Sequence, residues 1–273
     1  MARIITISNQ KGGVGKTTTS VNLAACLAAA ERPTLLIDLD PQGNSCSGLG
    51  LLKQTFDKSI YHVLIGVSSL EEVIVPTALE FLQVVPANSD LVAVDLELVS
   101  QFSREQRLRK ALEPVLDKYD FILIDCPPSL SLLTVNALTA ADSVIVPVQC
   151  EYYALEGLGE LLKTIQLIKE NLNPRLDIEG ILLTMFDPRN NLSHQVVQEI
   201  NTYFPEKIFK AVIPRNVKLS ESPSHGKPIL LYDIRSKGSL AYLDLAKEVM
   251  QRYLSKKNVH NLSLVTQNEM MAS

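Results

Sequence analysis

The sequence predicts an α/β protein with a single doubly wound, mostly parallel sheet that carries helices on both faces. Short, almost continuously apolar runs alternate with longer segments in which apolar residues recur at helical spacing. Such runs are typical of strands buried on both faces, because the helices that connect parallel strands cover the sheet. No internal repeat and no linker rich in glycine, proline or serine interrupts the alternation. The pattern therefore favours one domain.

The predicted elements alternate along most of the chain. Strands are predicted at residues 3–8, 34–39, 81–85, 121–125, 143–148, 178–184 and 208–213. Helices are predicted at residues 16–30, 104–116, 155–171, 194–204 and 239–254. Because residues 258–273 are weakly patterned, we expect a domain of residues 1–257 followed by a loosely held C-terminal tail.

The composition narrows the class of protein. In 273 residues, 46% are hydrophobic and 21% charged, which is typical of a globular protein with a sizeable core. No signal peptide is visible, and no apolar run reaches the roughly 18 residues of a membrane span, so we expect a cytoplasmic protein. The four cysteines are scattered without a C-x-x-C pair. This spacing disfavours a zinc site and indicates reduced thiols.

A glycine-rich loop, SNQKGGVGKTTTS, spans residues 8–20 between the first predicted strand and the first predicted helix. Its glycines are Gly12, Gly13 and Gly15. They allow backbone N–H groups to face an anion at the start of a helix, whose dipole favours negative charge. Lys16 would reach the β- and γ-phosphates of a nucleotide, Thr17 would bind Mg²⁺ through its hydroxyl, and Thr18 would contact the α-phosphate.

The loop departs from the usual phosphate-loop pattern in one place and carries an additional lysine. Gln10 stands where the pattern has glycine, and Lys11 is a second lysine. The octapeptide KGGVGKTT, which includes Val14, resembles the deviant Walker A motif of the ParA/MinD family of ATPases. In that family, the early lysine reaches across a nucleotide-sandwich dimer to the partner subunit's phosphates. The resemblance implies the same role for Lys11, where it would neutralise charge that develops on the transferred phosphoryl group.

Two further segments resemble nucleotide-responsive elements of the family. DLDPQGN, residues 38–44, resembles switch I, so Asp40 is expected to orient the attacking water and to contact Mg²⁺ through water. FILID, residues 121–125, has the form of a Walker B strand, so Asp125 is expected to hold Mg²⁺. CPPS, residues 126–129, resembles switch II; we interpret Cys126 as a packing residue because no second cysteine lies nearby.

The adenine contacts implied by the resemblance lie late in the chain. In the family, a proline and an asparagine after a late strand frame the base; here these are Pro214 and Asn216. Met185, which follows another predicted strand, is expected to line the same pocket. An I-P-R-N tetrapeptide carries little specificity alone, so these assignments depend on the rest of the resemblance.

The segments at residues 146–157 and 214–228 resemble the chromosomal ParA, or Soj, branch of the family, and the resemblance covers most of residues 2–254. It implies a weak ATPase that binds DNA non-specifically as an ATP-bound homodimer on the nucleoid. A ParB-type partner would stimulate hydrolysis. The cargo would be a chromosome or a plasmid.

The charge distribution permits DNA binding although the net charge is −4. Residues 204–257 carry 11 lysines and arginines against five acids, a local basic excess. Contacts from such a surface to phosphates would be independent of sequence and sensitive to salt. The match to the family implies DNA contacts at Arg189, Lys218 and Lys227; an ordinary solvated surface is the alternative at each.

Three rival functions are less consistent with the sequence. A MinD-like membrane-associated positioning ATPase needs a cationic amphipathic C-terminal helix, but residues 261–273 contain no lysine or arginine. An iron-protein reductase needs paired cluster cysteines, which this sequence does not have, and a dethiobiotin-synthetase-like ligase needs a substrate pocket that the sequence does not identify.

The glycine loop starts near residue 9, which leaves no room for a preceding helix-turn-helix, so operator-specific repression is not expected.

Overall fold

The computed structural model describes residues 1–51, 56–151 and 154–271, and it describes no side chains at 154–156 and 256–271. Two residues of the Soj-like segment, Tyr152 and Tyr153, and the end of the predicted tail, residues 272–273, therefore lie outside the described residues.

The described residues form one seven-stranded sheet. Its strands are β1 (Arg3–Ile7), β2 (Thr34–Asp38), β3 (Val75–Pro76), β4 (Leu82–Val85), β5 (Phe121–Asp125), β6 (Ser143–Gln149) and β7 (Asp177–Thr184). The order across the sheet is β3-β4-β2-β5-β1-β6-β7. All neighbours are parallel except the antiparallel edge pair of β3 and β4. This architecture confirms the predicted fold class.

Helices cover both faces of the sheet. They are α1 (Lys16–Ala29), α2 (Asn44–Gly48), α3 (Ile60–Leu64), α4 (Val94–Glu97), α5 (Arg107–Leu112), α6 (Leu132–Ala140), α7 (Ala154–Asn171), α8 (Asn191–Tyr203), α9 (Val217–Glu221), α10 (Ile229–Tyr232) and α11 (Lys237–Met271). Successive strand residues enter different cores: Ile4 of β1 packs in the layer that includes α6, whereas Ile5 packs with α1 and α11. Each strand is thus buried on both faces.

The register places polar residues together at one edge of the sheet. Ile7, at the end of β1, is opposite Asp125 of β5, and Asp125 is also opposite Asp38 of β2. The carboxyl ends of these three neighbouring strands therefore meet. Open α/β sheets bind ligands at this edge.

The predicted strand at residues 208–213 is wrong. The segment forms isolated bridges rather than a continuous ladder, at Ile181–Ile208 and Phe186–Pro214, although the N–H groups of Phe209 and Ile213 donate to carbonyls of β7. Between them, the N–H groups of Lys210 and Ala211 donate to Oε2 of Glu248 in α11, at 2.9 and 3.2 Å. The Ala211 N–H has the parity to face β7 but donates to a side-chain carboxylate, and no continuous strand is present here.

Helix bounds also differ from the prediction. Residues 104–116 form three consecutive turns, in which α5 lies between the 3₁₀ turns Arg104–Gln106 and Glu113–Val115, rather than one helix. The last helix, α11, continues to Met271 and so extends well past residue 254. A helical backbone does not measure how firmly this end is held, so the loose tail stays a prediction. α6 was not predicted.

Candidate functional site

The glycine loop joins β1 to α1 at the carboxyl edge of the sheet. Gly13 and Gly15 adopt left-handed conformations, with φ of 74° and 87°. A side chain at either position would strain the backbone. Left-handed residues alternating with right-handed ones turn successive N–H groups toward one side, which makes an anion-binding concavity. The Thr184 hydroxyl of β7 donates to the Val14 carbonyl at 2.9 Å and holds the loop against the sheet.

Lys16 is buried at the first position of α1, with 7% of its surface exposed. Its Nζ donates to the carbonyl of Lys11 at 3.0 Å. Burial lowers the pKa of Lys16, and the nearby carboxylates of Asp125 and Asp40 act in the opposite direction. A buried ammonium held by one carbonyl lacks full compensation for its lost hydration. This environment suits a bound anion such as a phosphate.

Asp125 lies beneath the loop and is completely buried. Its Oδ1 accepts from the Ser20 hydroxyl and its Oδ2 from the Ser45 hydroxyl, both at 2.9 Å. Burial raises the pKa of Asp125 to about 6, while hydrogen bonds from Thr17, Ser45 and Ser20 counteract the rise. The predicted metal residues Thr17 and Asp125 are therefore in direct contact.

Asp38 and Asp40 occupy different environments at the end of β2. Asp38 is fully buried, and burial together with the charge of Asp125 raises its pKa well above the usual range. Its carboxylate accepts from the backbone N–H groups of Asp40 and Ser45, each at 3.0 Å. Asp40 is half-buried, and its Oδ1 accepts from the Gln42 N–H at 2.9 Å. Asp38 thus positions the residue predicted to orient the attacking water.

Lys11 lies in the same loop as Lys16 but points to a different partner. Its Nζ lies 3.1 Å from Oε2 of Glu151, just beyond β6. Its N–H donates to Oδ1 of Asn9, whose Nδ2 donates to the Pro147 carbonyl at 2.7 Å. The two lysines therefore lie in different surroundings: one is buried in the loop, and the other is half-exposed on its rim.

A pocket of about 510 Å³ opens beside the loop. Its lining includes Gly15 and Thr18 together with the three predicted adenine residues, Met185, Pro214 and Asn216. Asn216 also caps α9, because its Oδ1 accepts from the Leu219 N–H at 3.3 Å. The structure thus brings together phosphate-loop and base residues that lie far apart in the sequence.

The predicted DNA contacts do not share one cavity. Arg189 lies with Lys210, Arg215 and Lys237 around an open depression of about 820 Å³, and its guanidinium forms two hydrogen bonds with Asp187, at 3.0 and 2.8 Å. Lys218 on α9 pairs with Glu221 at 2.9 Å. Lys227 lines a smaller pocket, of about 280 Å³, together with Thr17 and Thr18.

Sequence reasoning missed several residues of the site. Asp38, Ser20 and Ser45 complete the carboxylate cluster, and Glu151 is the partner of Lys11. Asp38 could have been predicted from the sequence, because an ionisable residue at the end of a buried strand is energetically costly unless it has polar partners. Ser20, Ser45 and Glu151 could not have been predicted in this way, because their partners are distant in the chain.

Left-handed glycines, a buried lysine and a buried aspartate at the carboxyl edge of a parallel sheet define a phosphate-binding loop of the ATPase class. The family described as "AAA domain" matches residues 2–178. The chain is 60% identical over 252 residues to the chromosome partitioning protein ParA of Myxococcus xanthus, covering 92% of this chain and 89% of that one. It is 59% identical over 249 residues to the sporulation initiation inhibitor protein Soj of Bacillus subtilis, covering 91% and 98%.

The chain therefore belongs to the ParA/Soj family of chromosome-partitioning ATPases, which confirms the resemblance. Among solved structures, it resembles cobyrinic acid a,c-diamide synthase from Mycobacterium smegmatis with bound ADP and magnesium. The TM-score is 0.83 at 36% identity, over 94% of this chain and 97% of that one. The fold is thus shared with a protein whose name describes a metabolic activity.

Proposed function

We propose that the chain is a Mg²⁺-dependent ATPase that forms an ATP-sandwich homodimer, binds DNA non-specifically and acts in chromosome or plasmid partitioning. Hydrolysis is weak until a ParB-type partner stimulates it, and the protein works in the cytoplasm on the nucleoid. The observation that carries the proposal is the position of Lys11. Its amine lies on Glu151, at the rim of the loop, whereas Lys16 alone is buried beside the phosphate-binding backbone.

The residues around the loop suit Mg²⁺ bound together with ATP. Mg²⁺ prefers oxygen ligands and usually retains waters and phosphate oxygens rather than entering a cage of protein carboxylates. Thr17 and Asp125 offer oxygens beside the loop. Among the residues that the structure describes, no group of three or more histidines, cysteines, aspartates or glutamates could hold a metal alone. The metal would neutralise phosphate charge.

The remaining site residues divide binding and chemistry between them. Lys16 and the loop amides hold the β- and γ-phosphates, and Thr18 contacts the α-phosphate. Met185, Pro214 and Asn216 surround the base in the pocket beside Gly15. Asp40, half-buried and anchored by Asp38, orients the water for in-line attack.

In the dimer, Lys11 completes the partner subunit's site. Its ion pair with Glu151 is solvent-exposed, with 32% and 49% of the two side chains accessible. Such pairs contribute about 0–1 kcal/mol, so the lysine exchanges Glu151 for a phosphate at little cost. A cation that arrives only with a second copy makes hydrolysis dependent on dimerisation.

Dimerisation would also create the DNA-binding state. Each copy contributes Arg189, Lys218 and the neighbouring cations of residues 204–257. Two linked weak surfaces bind with avidity, because the second contact becomes intramolecular. Binding to phosphates would then require ATP and would weaken steeply with salt.

The decisive experiment measures retention of random-sequence DNA with ATP, ADP or no nucleotide, and pelleting with anionic liposomes as the control. We expect DNA retention only with ATP, and no liposome pelleting. Equal DNA retention without nucleotide would overturn the proposed ATP-dependent DNA binding, and strong ATP-dependent pelleting with liposomes would overturn the proposal in favour of a MinD-like function. Among the described residues, no helix is long and apolar enough to span a bilayer.

A further inference from the structure

A further pocket, of about 260 Å³, lies at the amino edge of the sheet. Its lining includes Ile4 near the start of β1, Asp142 immediately before β6, and Asn173 in the connection to β7. Because these strands are parallel, their amino ends meet at the edge opposite the glycine loop. The five residues of β1 separate the two edges by roughly 16 Å. This amino-edge pocket is therefore distinct from the nucleotide site.

Four charged side chains line the amino-edge pocket, two of each sign: Arg109, Arg175, Glu113 and Asp142. Within the described part of the chain, the side chains of Arg109, Arg175 and Glu113 form no ion pair and no hydrogen bond. Asp142 accepts the Ile4 N–H through Oδ2, at 2.8 Å. An arginine stays charged at any physiological pH. The pocket thus presents uncompensated charges of both signs.

The turn that carries Arg175 is fixed to the end of α6. Asn173 is 6% exposed, and its Nδ2 donates to the carbonyls of Leu138 and Ala141, at 3.0 and 2.7 Å. Its Oδ1 accepts the Arg175 N–H at 3.3 Å. The backbone of Arg109 is fixed within α5. Both arginines are thus carried by ordered backbone, which lowers the entropic cost of binding a ligand between them.

The rest of the lining is largely apolar. Ile4 and Leu112 are 8% and 1% exposed, and Leu116 is half-buried beside them. Thr139 also lines the pocket, and its buried Oγ1 has no hydrogen-bond partner among the described residues, an arrangement that native proteins rarely leave without a purpose. Pockets for drug-sized ligands usually measure about 300–1,000 Å³. The amino-edge pocket is smaller, so it suits a smaller ligand.

We propose that the amino-edge pocket binds a free α-amino acid with an aliphatic side chain, such as leucine. The arginines take its carboxylate, since the guanidinium fork matches a carboxylate in geometry. Glu113 and Asp142 take its ammonium group, and its side chain covers Ile4 and Leu112. The proposal does not depend on the proposed function, because no residue of the nucleotide site takes part.

Ligands with one charge fit the pocket less well. A simple carboxylate would satisfy the arginines but would also face Glu113 and Asp142, and a simple amine would face the arginines. The α-ammonium of Met1, which also lines the pocket, lies 3.5 Å from Asp117 and leaves this balance unchanged. A peptide carries its two charged groups at opposite ends. Only a small zwitterion brings both charges to one place.

The first experiment measures the class of ligand by calorimetry, with the protein saturated with ADP and Mg²⁺ so that the nucleotide site is filled. We expect saturable binding of L-leucine with a dissociation constant of about 1 mM or tighter. Two matched analogues, 4-methylpentanoate without the amine and leucinamide without the carboxylate, should bind at least about tenfold more weakly. Absence of saturable leucine binding, or equal binding of either analogue, overturns the proposal.

The second experiment places the ligand in the amino-edge pocket. Arg109→Gln/Arg175→Gln should weaken leucine binding about tenfold or more. Lys110→Gln is the matched control, because Lys110 is exposed on the same helix and does not line the pocket. Leucine should raise the unfolding temperature of the wild type and of the control but not of the double variant. Equal affinity for leucine in the double variant and the wild type overturns the assignment.

A single substitution keeps the test decisive if the double variant does not fold. Glu113 is exposed, so Glu113→Gln should leave the unfolding temperature without leucine within about 2 °C of wild type. It should weaken leucine binding at least about threefold and leave the weak binding of 4-methylpentanoate unchanged or stronger, because it removes a negative charge. Unchanged affinity for leucine in Glu113→Gln contradicts its role in binding the ammonium group and overturns the zwitterion site.

Discussion

At the scale of single residues, two lysines of one loop lie in different surroundings, which support different proposed roles. Lys16 is buried beneath the loop, and burial lowers its pKa. Lys11 is half-exposed and pairs with Glu151, a residue 140 positions away. Only the buried lysine is placed to hold phosphate within one subunit. The rim lysine is free to exchange one carboxylate partner for an anion on another molecule.

Lys11→Ala should separate nucleotide binding from dimerisation. Because Lys11 lies on the rim, calorimetry should show ATP affinity of the monomer within about threefold of wild type, whereas light scattering should show little ATP dimer. Lys16→Ala is the control and should lose affinity for ATP itself. If Lys11→Ala also abolishes monomer binding, then Lys11 is a local phosphate ligand and the sandwich mechanism is contradicted.

Asp40→Ala should arrest the cycle after ATP binding. The loop and Lys16 are untouched, so ATP should still bind and a dimer should accumulate by light scattering. Phosphate release should fall by about 100-fold or more, since the water loses the group that orients it. Asp57→Ala is a control at a carboxylate outside the site. A variant that stays monomeric with ATP would refute this role for Asp40.

At the scale of elements, the ends of β2 and β5 confine two carboxylates in one buried cluster. Asp38 and Asp125 are opposite each other in the ladder, and both are 0% exposed. Ser20 of α1 and Ser45 of α2 donate to Asp125, so four elements meet there. A site arranged in this way is electrostatically unfavourable until cations arrive.

The nucleotide-free protein should gain stability when Asp125 is replaced by Asn. Burial raises the pKa of Asp125 from its ordinary 3.8 to about 6. The folded state therefore binds more protons than the unfolded state between these values, and the contribution of Asp125 to stability falls as pH rises through this window. We expect Asp125→Asn to increase the free energy of unfolding by up to about 3 kcal/mol at pH 7 and by little at pH 4.

Urea unfolding in EDTA, without nucleotide, measures this change at both pH values. Asp117→Asn is the control, because Asp117 is exposed and its replacement should change stability little at either pH. A gain that is larger at low pH than at neutral pH would contradict the sign of the predicted linkage.

At the scale of the whole molecule, an acidic protein presents a cationic depression bordered by Arg189, Arg215 and Lys237. Arg189→Glu combined with Lys218→Glu should reduce ATP-dependent DNA retention about tenfold or more. It should also lower the slope of log affinity against log salt by about one for each lost phosphate contact. Filter binding at several salt concentrations measures both. Lys118→Glu is the matched control, because Lys118 also lies in an exposed ion pair, with Glu71. If the control loses DNA retention equally, the effect comes from the net charge of the protein and not from contacts made by Arg189 and Lys218.

The local pattern of apolar residues was sufficient to predict most of the strands. Six of the seven predicted strands were confirmed within a residue or two, because buried strands of a parallel sheet are almost continuously apolar. Residues 208–213 show the same pattern but form only isolated bridges, and the Ala211 N–H there donates to Glu248 instead of to β7. Composition does not reveal which side chain will compete for a backbone amide.

The sequence by itself determined the glycine loop, Lys16 and the aspartates that end two strands, because each depends on residues adjacent in the chain. Only the tertiary structure decided that Lys11 contacts Glu151, that Asp38 and Asp125 share one buried cluster, and that Met185 and Asn216 line one pocket with Gly15. The physical reason is that strand order and burial decide which distant residues meet and which apolar faces stay uncovered, and neither is a property of local spacing.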